Sequence, residues 1–196
     1  MIPWPNIKLV DVEHAACSFL KKYHPTLELP IPIEDIVERK MNIALSVVPG
    51  IKFLIGIDAF ISSDFSQITI DEDAFVRYPE RTRFSIAHEI GHMILHKEWY
   101  EKYGPKDLDE YLTSHDHRDE RTYQYTEIQA QTFAGLMLVP KSLLFDEVEK
   151  RIGRIPKLES AEILAPVITD LPEIFRVSDA VVLRRLQNEG IVKLSY

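Results

Sequence analysis

Apolar residues return every three or four positions along residues 9–23, where Leu9, Val12, Ala16, Phe19, Leu20 and Tyr23 predict an amphipathic first helix. Pro32 can open a second helix through Ile33, Ile36 and Val37 to about Met41. Ile43–Val48 reads as a strand, and Ile57–Ile61 and Gln67–Ile70 flank Ser62-Ser63-Asp64-Phe65-Ser66 as a β-hairpin. Helical spacing resumes in residues 81–96, with Phe84, Ala87, Ile90, Gly91, Ile94 and Leu95 on a buried helix. A further apolar helix opens at Glu127, with Thr126 and Gln129 as a capping box and Pro140 as its stop. Its face is Ala130, Phe133, Ala134, Met137 and Leu138, and the small Ala130, Ala134 and Gly135 allow a close neighbour. Beyond Pro140 come a charged helix near 141–151, a proline-punctuated segment, and a last helix with Ser178 as N-cap and Gly190 as stop. This order predicts an α+β fold, a small antiparallel sheet packed against a helical core that carries residues 81–96.

The chain has 196 residues, 45% hydrophobic and 28% charged, which suits one globular domain, with the helical segment from about 141 to 196 as a candidate subdomain. A formal net charge of −8 argues against a nucleic-acid surface as the main function. Val177-Ser178-Asp179-Ala180 with Arg184 and Arg185 resembles a DNA-recognition helix only superficially, because no helix-turn pattern precedes it. The single Cys17 cannot form an internal disulfide. There is no basic leader followed by an apolar run, and no 18-residue apolar stretch, so the expected location is cytoplasmic. His14 and His24 have no partner in sequence and are expected at the surface.

His88-Glu89-Ile90-Gly91-His92 carries the candidate chemistry. Positions i and i+4 share a helix face, so two imidazoles can close on one metal ion, with Glu89 placed to act on water as general base. Random order would produce the pattern in roughly 2% of chains with this many His and Glu residues, so its context has to decide. Gly91 costs about 1 kcal/mol against Ala inside a helix, which points to another backbone passing close by. A core helix with merely hydrogen-bonded histidines is the bland alternative.

A zinc site needs a third protein ligand. His96 lies about 12 Å along a straight helix from His88, too far for all three rings to converge on bonds of about 2.0–2.1 Å. The spacing with a third histidine six residues beyond the second would require Gly at 95 and His at 98, where this chain has Leu95 and Glu98. Glu127, at the start of the second apolar helix, could face His88 and His92, or could simply suit a helix N-terminus.

Three blocks carry a resemblance: Arg81-x-Arg83-Phe84-Ser85-Ile86-Ala87-His88-Glu89-Ile90-Gly91-His92-x-x-Leu95-His96, then Glu127-Ile128-Gln129-Ala130-Gln131-x-Phe133-Ala134 through Leu138-Val139-Pro140, then Phe175 to Leu186. In order over roughly residues 9–190, the chain resembles the ImmA/IrrE family of metallo-endopeptidases. Carried over by position, His88 and His92 match the family's histidine ligands, Glu89 its catalytic glutamate and Glu127 its third ligand. Gln131 departs from the Asn often found there. The resemblance implies a zincin-like helical core, a Zn2+ cofactor, and cleavage of a peptide bond in a specific intracellular protein. That substrate is typically a helix-turn-helix repressor from a neighbouring gene of a bacterium, phage or mobile element.

The rival class is a non-catalytic metal-containing module, such as one half of a toxin–antitoxin pair. An intact Glu89 speaks against it, since a structural site needs no general base. In the connector 97–126, Tyr123, Tyr125 and His115 are candidates for a second oxyanion donor, and His115-Asp116-His117 reads as a solvated loop. Sheet edges bind extended peptides through free backbone groups, so one hairpin strand is expected to border the metal cleft.

Overall fold

The computed structural model describes residues 7–113 and 120–193, without the side chains of 120–123, 161–163 and 167–168. It is an α+β fold. The elements run α1 (Leu9–Tyr23), α2 (Ile33–Asp35) continued by a π-helical turn (Ile36–Lys40), β1 (Ala44–Val48), α3 (Ile51–Ile55), β2 (Ala59–Ile61) and β3 (Gln67–Asp71). Then follow α4 (Glu72–Arg77), α5 (Pro79–Leu95), α6 (Lys97–Tyr103), α7 (Leu108–Thr113), α8 (Glu120–Leu138), α9 (Lys141–Ile152), α10 (Ala161–Phe175) and α11 (Asp179–Asn188).

The expected hairpin is present as β2 and β3, antiparallel with Ala59 opposite Ile70 and Ile61 opposite Ile68. The strand before it joins the other side of β3 in parallel, Ala44 opposite Gln67 through Val48 opposite Asp71, so the sheet is mixed, in the order β1-β3-β2. The central strand is the buried one: Ile68 and Ile70 are fully covered, while β1 is a half-exposed edge. A parallel neighbour needs a crossover, and α3 with β2 supplies the chain length for it.

One buried core runs from Val12 and Phe19 of α1 through Ile86 and Ile90 of α5, Phe133 and Met137 of α8, to Phe175, Leu186 and Val192. Helices α1 and α5 both pack on α8, with Phe19 edge-on to Phe133 at 5.9 Å between ring centres. Several sequence expectations change here. Helix α8 begins at Glu120, so Thr126 is not its N-cap and Glu127 lies two turns inside it, where no helix-end argument applies to its charge. Residues 120–126 lack Gly and Pro and simply continue the helical run. The proline-punctuated segment is helical as α10, with Pro166 and Pro172 inside. Each proline removes a backbone donor, but Leu164, Leu171 and Phe175 are buried on this helix and hold it. His24 is not on the surface: it is 7% exposed, its Nε2 2.8 Å from the Glu28 carbonyl. His14 is exposed, as is Cys17, which is free. Among the described residues no helix is long and apolar enough to cross a membrane.

Two polar knots fix the start of α5 and the sheet beneath it. Arg83 is 3% exposed, and its guanidinium bonds three separate segments: Glu34 at 2.7 Å, the Ile31 carbonyl, and the Arg176 carbonyl at 3.1 Å. A buried guanidinium with its donors satisfied is stable in place, and one stripped of partners is costly. Asp71 closes β3 and caps α4, accepting from Ala74 N at 3.1 Å and Lys52 N at 3.0 Å. Burial raises its pKa, but those amide donors outweigh burial and hold it below the ordinary carboxylate value.

Asp71→Ala is therefore expected to lower unfolding free energy by about 1–2 kcal/mol through loss of the cap, with Asp71→Asn in between. Because the folded-state pKa is the depressed one, Asp71's ionic contribution is present above the unfolded value near 3.9 and fades as pH falls through the folded value. Urea denaturation at pH 7 and pH 3 should show the gap between wild type and Asp71→Asn narrowing at the lower pH.

Candidate metal centre

Helix α5 presents His88 and His92 one turn apart, and α8 presents Glu127 opposite them. The helices meet so closely because residue 91 has no side chain. A β carbon there would stand 3.1 Å from both the Cα and the carbonyl oxygen of Ala130, and 3.3 Å from Phe133 Cδ1. The close approach expected from Gly91 and Ala130 is thus present.

Three donor atoms converge as a result. His88 Nε2 and His92 Nε2 are 3.0 Å apart, and each lies 3.2 Å from an oxygen of Glu127, Oε2 for His88 and Oε1 for His92. Bonds of about 2.05 Å at tetrahedral angles separate donor atoms by about 3.3 Å. The cluster therefore has the size and donor set to coordinate a metal ion, and His88, His92 and Glu127 form such a group among the described residues. His96 does not join it, in line with the helix geometry.

His96 has another place that the sequence did not suggest. Its Nδ1 is 3.1 Å from His92 Nδ1, and its Nε2 is 2.9 Å from Gln129 Oε1. Gln129 Nε2 in turn donates to the Ile7 carbonyl at 3.0 Å. That carbonyl can only accept, so the amide orientation is set and Gln129 Oε1 must face His96. Neutral His96 then carries its proton on Nε2 and accepts at Nδ1 from His92, which leaves the lone pair of His92 on Nε2, toward Glu127 and His88. A backbone carbonyl at one end of the chain thus selects the tautomer that a metal ligand needs. The i+4 spacing of His96 from His92 was the available signal. Gln129, read as a capping residue, was a wrong assignment.

Glu89 points the other way, at the sheet. Its Oε2 accepts from Ile61 N at 3.0 Å. Ser62 N bonds Gln67 O and Asp71 N bonds Asp58 O, so by alternation Ala59 and Ile61 turn their backbone groups to the free edge of β2. Ile61 spends its N–H on Glu89, and Ala59 borders the cavity. That cavity, about 280 Å3, is lined by Ala59, Phe60, Glu89, His92, Tyr100 and Tyr111, among others. One hairpin strand does border the cleft. Tyr100 lies 5.2 Å from the His92 ring and Tyr111 5.2 Å from the Phe60 ring, centre to centre. Tyr125 is 68% exposed and does not line the cavity. His115-Asp116-His117 and the Tyr123 side chain lie outside the described residues.

Burial is the largest single influence on each of these groups, and it sets the direction for Glu89 and His92. It pushes Glu89 up to about 7, with Glu127 adding to the rise while His88 and the Ile61 amide oppose it. It pulls His92 down to about 4 against the attraction of Glu127. Burial also opposes charging of His88, but the Glu127 hydrogen bond and the nearby carboxylates outweigh it and raise that pKa. Glu127 is raised by burial and lowered further by its two imidazole partners, ending well below the usual carboxylate range. Arg185, named with Arg184 in the superficial likeness to a DNA-recognition helix, is 5% exposed and bonded to the Val139 carbonyl and Glu189, so only Arg184 of the pair faces solvent.

A family model for the M78 peptidases, described as the IrrE N-terminal-like domain, matches residues 76–187. No curated protein matches the chain in sequence. Among solved structures, a Mycobacterium tuberculosis transcriptional regulator superposes with a TM-score of 0.54 at 16% identity, over 91% of this chain and 46% of that one. The chain thus spans about half the length of that relative, and the likeness speaks for the fold alone.

His96→Ala is expected to lower affinity for Zn2+ by about 10–100-fold, as loss of a ligand's hydrogen-bond partner does, without changing the number of ions bound; isothermal titration with Zn2+ checks this. Uptake should weaken and release more protons at pH 6 than at pH 8, because His88, with its raised pKa, must give up a proton to bind. Gly91→Ala is expected to lose about 1–3 kcal/mol to overpacking, despite a helix-propensity gain of about 1 kcal/mol, and thermal unfolding would show it.

Proposed function

Since the chain belongs to the M78 peptidase family with an IrrE N-terminal-like domain, we propose that it is a zinc-dependent endopeptidase in which His88, His92 and Glu127 hold the ion and Glu89 is the general base. The observation that carries this reading is the pairing of a three-donor cluster of zinc dimensions with a buried glutamate beside it. Two imidazoles and a carboxylate form a set typical of catalytic zinc, with a fourth position free. A bound zinc ion supplies Lewis acidity toward water and toward a peptide carbonyl.

The chain's own groups do the rest. Glu89 Oε2 is fixed by the Ile61 amide, which turns the carboxylate in one plane and leaves Oε1 to take a proton from the attacking water. A buried carboxylate whose burial favours the protonated form can accept that proton and then deliver it to the leaving amine. The proton gained in the first half of the reaction is the proton lost in the second, so Glu89 ends as it began. Ala59, with backbone groups on the free edge of β2, is placed to pair with an extended substrate segment across the cleft. Tyr100 and Tyr111 line the cavity beside these groups.

Such a cleft takes an extended stretch of chain, which folded proteins expose in linkers. The substrate proposed is therefore one specific protein, with a helix-turn-helix repressor encoded nearby as first candidate on family resemblance. The helices after Pro140 are proposed to belong to the same domain, a reading supported by their share in the common core.

Glu89→Gln is expected to keep the fold and bind Zn2+ as tightly as wild type, yet to reduce cleavage of the neighbouring repressor at least 10²-fold. Mass spectrometry of the products with wild-type and variant protein is the test. Turnover by the variant equal to wild type would remove Glu89 from this role. Glu127→Ala, by contrast, should lose the ion itself, and full zinc occupancy in that variant would show that a different ligand is in use.

A further inference from the structure

The metal cavity does not end at the ligands. Phe84 and Gln131 line it and also line a second cavity of about 360 Å3 on the far side. The walls of this second cavity are Ile128, Thr132 and Gly135 of α8 and Val181, Arg184 and Asn188 of α11. The α8 residues fall at i, i+4 and i+7, one helical stripe that continues the line set by Glu127 and Gln131. Ile57 and Asp58, just before β2, also line the metal cavity, and Asp58 pairs with Arg81, about one turn before Phe84 on α5. A chain that lies on β2 and runs past Phe84 would enter this groove.

The groove's chemistry is uneven. Ile128 is 58% exposed, an apolar wall open to solvent. Arg185 is spent on the Val139 carbonyl and Glu189. Arg184 is exposed, lines the groove, and among the described residues makes no ion pair or hydrogen bond, in a chain of net charge −8. Its neighbours at the groove, Thr132 and Asn188, are neutral, so its guanidinium is the uncompensated charge there. Gly135 keeps the floor low, since a β carbon at that position would touch the Arg185 side chain at 3.4 Å.

We propose that the groove between α8 and α11 is a specificity subsite of the same cleft, in which Arg184 takes an acidic side chain of the substrate a few residues from the scissile bond while Ile128 and Val181 hold its apolar neighbours. The proposal rests on the peptidase reading for its orientation but not for its binding chemistry. A guanidinium fork is suited to a carboxylate and selects against a basic residue at the same position.

The test uses zinc-loaded Glu89→Gln protein and three pools of fluorescein-labelled decapeptides, randomised but for fixed positions carrying Asp/Glu, Lys/Arg or Asn/Gln. Fluorescence polarisation should show the acidic pool binding about fivefold tighter than the neutral one, with the basic pool weakest. Arg184→Ala should erase the preference and Arg184→Glu should invert it, with zinc content unchanged in both. An order of pools that is the same in wild-type residue 184 and Arg184→Glu overturns the subsite. In parallel, wild-type and Arg184→Glu proteins are given the same pools and cleavage products are read by mass spectrometry. Cleavage without any acidic preference sinks the subsite and leaves the peptidase standing. Charge-dependent binding that inverts with Arg184→Glu, without any cleavage, supports the subsite and sinks the peptidase reading.

Discussion

Helices α5 and α8 can approach to the distance the site requires only because position 91 carries a hydrogen where other residues carry a β carbon. Ala130 completes the arrangement from the other side, with a methyl that leaves its backbone within reach. Each added ångström between these helices would be added to the 3.2 Å separations between the imidazoles and Glu127, and a metal ion tolerates little of that. Packing in the core therefore sets the spacing of the three donor atoms. Phe133, Ile90 and Met137 fill the space beside the contact and keep the two helices from sliding.

Two glutamates line the same cavity and have opposite properties. Glu127 meets two imidazole nitrogens and is held ionised; Glu89 meets one backbone amide in a buried place and is held near the middle of the pH scale. The difference comes from which side of α5 supplies the partners. The helix side offers rings that can share a charge, and the sheet side offers a single dipole. A small sheet packed against α5 thus helps set the electrostatics of the cavity, because β2 supplies the backbone amide that holds the Glu89 carboxylate.

Much of this was readable in the residues. Spacing marked His88 and His92 as neighbours and residues 62–66 as a hairpin turn, while Gly91 on one helix and Ala130, Ala134 and Gly135 on the other were each marked as allowing a close neighbour. What the sequence hid was long-range. Nothing near β1 indicates that it pairs parallel to β3, since register across a crossover depends on contacts between residues some twenty positions apart. The role of Glu127 depended on resemblance, because a single acidic residue beside a threonine also suits a helix start, and α8 proved to begin seven residues earlier. The prolines of α10 suggested irregular chain, and burial of Leu171 and Phe175 overrode that local preference. His96 and Gln129 were visible, but their link to Ile7 spans 122 positions, beyond any periodicity argument.

The Ile7 carbonyl and the Ile61 amide both lie before residue 76, where the match to the family model begins. The stretch that carries the family signature contains the three donors and the glutamate, yet not the two backbone groups that orient them. A graft of residues 76–187 onto another scaffold would transplant a complete set of side chains whose His92 had lost its prescribed tautomer and whose Glu89 was free to rotate. The signature is portable as a recognition mark, while the orientation of its side chains belongs to the chain that wraps around it.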